Sequence, residues 1–358
     1  MSFSPNSSTP RPGGACPSVG VQLEAVVLPP VLILDVALGL LGNVVALWIF
    51  CCKLSSWNPN SMFLFSLVVA DFMALLSLPL RVHALLWGFW VFGDGMCRIN
   101  LFLMFSNRSA SIALMTVVAV YRYLKVLHPL HRCSRMSRRA AALLSVVVWL
   151  LVVSPRVPLL FFNHIKGSGN QTQCFFFTTY GKTSASILIL VKMHRALTVL
   201  EFVFPFALLL FCCLRISCFL KRRTVGRPEK MRKAVRVCVA IIVVFLLCFL
   251  PTTVTTLGLW ASRSFRPWDC TLFYTFTQLT IVSFGLNFLN SALDPIIYVF
   301  SSSVFRKALL SSLPCRSSAY SSTSTSSSGG PSTTQQELQT ISGDGGQPQP
   351  GTGSSKQD

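Results

Sequence analysis

Seven long apolar runs constrain this chain more than any other feature. They lie at roughly 26–51, 60–86, 95–127, 139–162, 186–220, 234–260 and 270–300. A helix needs about 20 mostly apolar residues to cross the hydrocarbon of a bilayer, and every run is long enough. Inside lipid, the backbone polar groups of each segment must be satisfied within the protein. The expected fold is therefore an all-α membrane protein, a bundle of seven transmembrane helices. A very apolar soluble enzyme is the rival, and the distribution of residues excludes it. Only 12% of the chain is charged, against about 25% in soluble domains, and the apolar residues form long stretches rather than short alternating patterns.

Orientation follows from the basic residues. The net charge is +20. Arg132, Arg135, Arg138 and Arg139 form one cluster, and residues 221–236 hold eight more Lys and Arg. Arg306, Lys307 and Arg316 follow the last run. If the helices alternate, all three clusters share one side, and the positive-inside rule makes that side cytoplasmic. Every cluster abuts a spanning helix, so a nucleic-acid partner is not expected. The sequons at Asn6 and Asn170 then fall outside and are candidate glycosylation sites. Residues 1–20 lack an apolar core, so no cleavable signal is expected. Of 13 Cys, four fall on the outer side: Cys16, Cys97, Cys174 and Cys270. That face is oxidising, and four cysteines leave three pairings open.

The expected division of the chain is 1–25 as an extracellular N-terminus, 26–301 as the membrane domain, 302–315 as an amphipathic helix and 316–358 as a disordered cytoplasmic tail. Val304–Leu310 has the alternation of a helix lying on a membrane surface. Cys315 behind it is a candidate for palmitoylation. The Ser/Thr/Gly/Pro/Gln-rich tail cannot bury enough surface to fold and is suited to phosphorylation.

Polar residues inside the spans carry the functional signal, because a mid-bilayer charge costs about 2.5–3.5 kcal/mol on insertion scales. Asp71 and Asp294 lie in the second and seventh spans, with Asn43, Asn107, Ser111 and Asn290 in or near their level. Such oxygens suit a hard cation such as sodium or a hydrated network, and the sequence leaves both open. Arg122 stands at the inner end of the third span. Pro205, Pro251 and Pro295 remove backbone donors from the fifth, sixth and seventh, and a kink at Pro251 gives the sixth helix a lever.

Together these residues resemble the rhodopsin-like (class A) receptors. The likeness rests on Gly42-Asn43, Ala70-Asp71, Cys97, Arg122-Tyr123, Trp149, Pro205, Cys248-x-x-Pro251 and Asp294-Pro295-x-x-Tyr298, and covers about 26–313. It implies a Cys97–Cys174 disulfide, leaving Cys16 with Cys270. It implies a sodium pocket at Asp71, Ser111, Asn290 and Asp294, with no other cofactor. It also implies an activation set of Tyr121, Arg122, Phe249, Pro251, Asp294 and Tyr298 acting on a heterotrimeric G protein, with receptor kinases and arrestin reading the tail. A narrower resemblance, to the hydroxycarboxylic acid and oxoeicosanoid receptor branch, rests on Asn107-Arg108-Ser109-Ala110-Ser111, Tyr123–Pro129, Leu200-Glu201-Phe202 and Phe300-Ser301-Ser302. It implies acid ligands and the inhibitory class of G protein.

Arg108 is the expected ligand anchor. It follows Cys97 by 11 residues, or about 16 Å along a helix, which is pocket depth. A buried guanidinium offers a planar fork to a carboxylate. The alternative is an internal pair with Glu201 or Asp35. Arg81, Glu201, Phe175, Phe176 and Phe288 complete the expected ligand site, and His83, Lys192, His194 and Arg195 add positive potential near its mouth. Two departures from the branch, Phe175–Phe177 after Cys174 and Phe288 in the seventh span, replace hydrogen-bonding residues with apolar area. They favour an oxidised fatty acid over a short hydroxy acid. A third departure is Tyr121, where the family usually has an acid; without it Arg122 lacks its neighbouring carboxylate, and raised basal signalling is expected. An enzyme is not expected, since Asp71 and Asp294 have no general-base histidine nearby. A carboxylate transporter is the rival of another class, and an odd number of spans disfavours paired repeats.

Overall fold

The computed structural model describes residues 22–54, 56–166, 172–174, 185–222, 228–266 and 268–312. Within them are eight α-helices: α1 Gln22–Trp48, α2 Pro59–Trp87, α3 Gly93–Leu127, α4 Arg138–Val153, α5 Ala185–Arg222, α6 Pro228–Phe265, α7 Cys270–Ser301 and α8 Ser303–Ser312. Seven of these helical segments are long and apolar enough to cross a membrane. Their outward faces are apolar too: Leu76, Leu151 and Phe204 are 69, 68 and 70% exposed. Exposed apolar surface on that scale marks a surface that meets another apolar phase.

Local chemistry fixes several helix ends. Asn58 caps α2 by accepting from the Ser61 amide at 3.0 Å, with Pro59 in the first turn. Gly88 ends the helix at φ 76°, a left-handed turn that glycine adopts without strain. Ser137 caps α4 in the same way as Asn58, accepting from Ala140.

Prolines mark four of the spans. The fourth apolar run, expected as one span over 139–162, is one candidate span over Arg138–Leu160, α-helical to Val153 and 3-10 over Ser154–Leu160. Pro155 and Pro158 supply the reason, since each lacks the amide that an α-helix needs. The prolines of α5, α6 and α7 sit inside continuous helices.

Close packing places α7 against α1: a Cβ at Gly42 would overlap the Pro295 ring. At the other end, the two-stranded hairpin Ile165–Lys166 and Gln173–Cys174 pairs antiparallel, Ile165 opposite Cys174. The Cys97–Cys174 disulfide, with Cα atoms 5.7 Å apart, ties this hairpin to the first turn of α3. These features distinguish a disulfide end of the bundle from an α8 end.

Candidate functional site

The 3-10 segment after α4 delivers a residue that the sequence reading passed over. Arg156 is 1% exposed and points into the bundle. It donates through Nη2 to Glu201 Oε1 at 2.5 Å and to Ser109 Oγ at 2.8 Å. Its Nη1 meets His194 Nδ1 at 2.7 Å. A guanidinium only donates, so Nδ1 accepts and the His194 ring is neutral. Arg108, 3% exposed on α3, shares the same carboxylate: Nη1 reaches Glu201 Oε2 at 3.4 Å, and Nε reaches Asn287 Oδ1 of α7 at 3.4 Å. The Arg108 guanidinium also lies 5.7 Å from the ring centre of Phe249 on α6.

Two guanidiniums therefore face one carboxylate, and the cluster keeps one positive charge in surplus. The surplus is not spread evenly. Arg156 holds the short ion pair, whereas Arg108 holds a long one and its Nη2, buried, has no hydrogen-bond partner among the described residues. Breaking up a buried ion pair is expensive because it strands a charge. Here one charge is already short of a partner.

Arg108 lines a cavity that opens to solvent. Its walls are largely apolar, with Leu28, Leu32, Met104, Phe105, Phe284 and Phe288 among them, and Arg81, His194, Arg195 and four threonines supply polar atoms. Arg81 donates to the Cys174 carbonyl at 3.2 Å, so the disulfide hairpin and α2 close on the same space. Of the residues expected at the ligand site, Arg108, Arg81 and Phe288 come together on this cavity. Glu201 does not line it: the carboxylate turns to Arg156, Ser109 and Arg108, and serves as their countercharge. The internal pair considered at the sequence level thus exists, and it is incomplete. Phe175 and Phe176 lie outside the described residues, as do Cys16, Cys315, Asn6 and Asn170. Cys270 opens α7 and is disulfide-bonded.

A second buried cluster lies deeper, on α1, α2, α3 and α7. The Tyr298 hydroxyl meets Asp71 Oδ2 at 2.7 Å and Asn43 Oδ1 at 3.2 Å. Asn290 Nδ2 donates to Asp294 Oδ2 at 3.3 Å. Asp71 Oδ1, Ser111 Oγ, Asn290 Oδ1, Ser291 Oγ and Asp294 Oδ1 are all buried without a partner among the described residues. This set is all oxygen and carries two carboxylates, the donor chemistry of a hard cation.

Nearer the α8 end, Arg122 Nη2 donates to Ser301 Oγ at 3.0 Å, and Ser301 in turn donates to Asn60 Oδ1 at 3.3 Å. Tyr121 packs edge-on against Phe63 and accepts from Lys125 Nζ at 3.1 Å. Arg122 is thus held across to α7 by a neutral hydroxyl. One face of α7 connects all three sites, through Asn287, Asn290, Asp294, Tyr298 and Ser301.

Arg156 and Asn287 were missed by sequence reasoning. A signal for the first was present: an arginine between two prolines, Ser154-Pro155-Arg156-Val157-Pro158, inside an apolar run.

Comparison with known proteins agrees with this architecture. Residues 42–298 match the model of the 7 transmembrane receptor (rhodopsin family). The hydroxycarboxylic acid receptor 2 of Homo sapiens is 37% identical over 282 residues, 78% of this chain and 75% of its own length. The oxoeicosanoid receptor 1 of Homo sapiens is 37% identical over 314 residues, 85% of this chain and 79% of its own length. The hydroxycarboxylic acid receptor 1 of Mus musculus is 36% identical over 291 residues, 81% of each chain.

Proposed function

The chain belongs to the rhodopsin family of seven-transmembrane receptors, in its hydroxycarboxylic acid and oxoeicosanoid branch, and from that premise we propose that it senses a carboxylate ligand, by preference an oxidised fatty acid, seated on Arg108. It is a G protein-coupled receptor and not an enzyme. The observation that carries the ligand reading is the surplus guanidinium: a buried Nη2 without an acceptor among the described residues, on an arginine that lines a largely apolar cavity. A carboxylate there completes the charge balance with charge-assisted hydrogen bonds. Relatives named for hydroxycarboxylic acids and for oxoeicosanoids make acids the class to expect. The apolar walls favour a long acyl chain, since burial contributes about 25 cal/mol per Å².

Signalling follows as a population shift. Arg108 touches α6 through Phe249 and α7 through Asn287. A ligand that draws the guanidinium toward itself changes both contacts, and it stabilises the state in which α6 swings about Pro251, just beyond Phe249. Release of Arg122 from Ser301 then exposes it to a helix of the G protein. The disulfide end is extracellular and the α8 end cytoplasmic, in the plasma membrane, as the basic residues of the connections require. The transducer is the inhibitory class that the branch resemblance implies; kinases and arrestin act on the tail. A sodium ion held by Asp71, Ser111, Asn290 and Asp294 neutralises carboxylate charge and favours the inactive packing.

A panel of carboxylic acids, read as inhibition of cAMP and as nucleotide exchange on G proteins, tests the proposal. Oxo- and hydroxy-fatty acids are expected to act at lower concentration than lactate, butyrate or nicotinate. Activity of the short acids with silent oxo-fatty acids reverses the ligand preference. Uptake of labelled acid without nucleotide exchange points to a transporter instead.

A further inference from the structure

Arg108 is not alone in presenting an unmatched cation to the cavity. Arg195 lines it as well, from α5. It precedes Glu201 by six residues, so its Cα stands about 9 Å further along α5, toward the disulfide end. Its Nη2 is buried and has no hydrogen-bond partner among the described residues. The ion pairs found there join Arg98 to Asp94 and both Arg108 and Arg156 to Glu201; none reaches Arg195.

A surface arginine satisfies its donors with water. Arg195 is half-exposed, but its Nη2 is occluded and belongs to the wall of a largely apolar cavity, where an unmade hydrogen bond costs more than at the surface.

We propose that Arg195 receives a second oxygen of the ligand, a keto or hydroxyl group carried several carbons from the carboxylate that Arg108 holds. The proposal rests on the acid reading of Arg108 and extends it from a functional group to a ligand geometry. A fatty acid oxygenated along its chain spans the two guanidiniums. A short hydroxy acid, with hydroxyl and carboxylate on neighbouring carbons, does not. The unoxygenated parent acid fills the same apolar walls but leaves Arg195 unpaired, so the site discriminates against it.

The experiment compares arachidonic acid with its mono-oxo and mono-hydroxy derivatives along the chain, each as free acid and as methyl ester. Dose–response curves are taken on full-length receptor and on Arg195→Leu and Arg195→Lys variants at matched surface level. The wild type is expected to prefer a mid-chain oxygenated acid over the parent by about tenfold to a hundredfold, the range for a hydrogen bond to a charged donor. Arg195→Leu is expected to erase that ratio by weakening the oxygenated acid alone, and Arg195→Lys to keep part of it. Equal loss of parent and oxygenated acid in Arg195→Leu overturns the proposal, and so does an unchanged ratio. The acid-to-ester ratio reports on Arg108 separately: an ester as potent as its acid overturns the anchor reading. A wild type silent to the whole series overturns both.

Discussion

Two buried polar clusters share this bundle, and their ionisable groups are opposite in kind. The one nearer the disulfide end has two arginines for one carboxylate, Arg108 and Arg156 against Glu201. The deeper one has two carboxylates, Asp71 and Asp294, with neutral amides and hydroxyls around them. Each leaves buried polar atoms without partners among the described residues. A bundle built only for stability would cancel such charges, because a stranded buried ion is costly. On the proposed reading the difference assigns an anion to the first cluster and a cation to the second, joined by one face of α7.

The comparison breaks most severely at Glu201. Glu201→Ala strips the sole carboxylate from two buried guanidiniums, and should destabilise the fold by about 3–5 kcal/mol, seen as lost surface expression and a lowered Tm of purified receptor. Arg108→Gln should leave the receptor at the surface and weaken acid agonists by about a hundredfold or more, since charge-assisted hydrogen bonds are lost. Arg156→Met sharpens the charge argument. It frees Glu201 to neutralise Arg108, so acid potency should fall by about tenfold while methyl esters change little. At the deeper cluster, replacing sodium with a bulky organic cation should raise agonist affinity by about fivefold, and Asp71→Asn should abolish that sensitivity. The smallest effect is expected at the α8 end. Tyr121→Asp gives Arg122 an adjacent carboxylate, and basal nucleotide exchange should drop by about twofold.

Much of this was legible in the sequence because hydrophobic length and intramembrane charge are local properties. Seven runs and the depth of Arg108 follow from counting along a chain, whereas the Cys97–Cys174 pair came only with the family resemblance. Partner choice is not local. Glu201 carries no mark that says whether it faces a ligand or an arginine; Arg156, 45 residues away, decides it. Arg156 in turn was hidden because Pro155 and Pro158 turn the end of the fourth run inward, which hydropathy does not register. The same prolines that shorten α4 place the guanidinium that occupies Glu201 and leaves Arg108 short of a countercharge.

The most direct test is the distance from an acid agonist's carboxylate to Arg108 Nη2 in a structure of the receptor complex. The account predicts a charge-assisted contact of about 2.7–2.9 Å, with Arg156 still on Glu201. A carboxylate beyond hydrogen-bond reach, with Arg108 closed onto Glu201 and the agonist seated elsewhere, would contradict it.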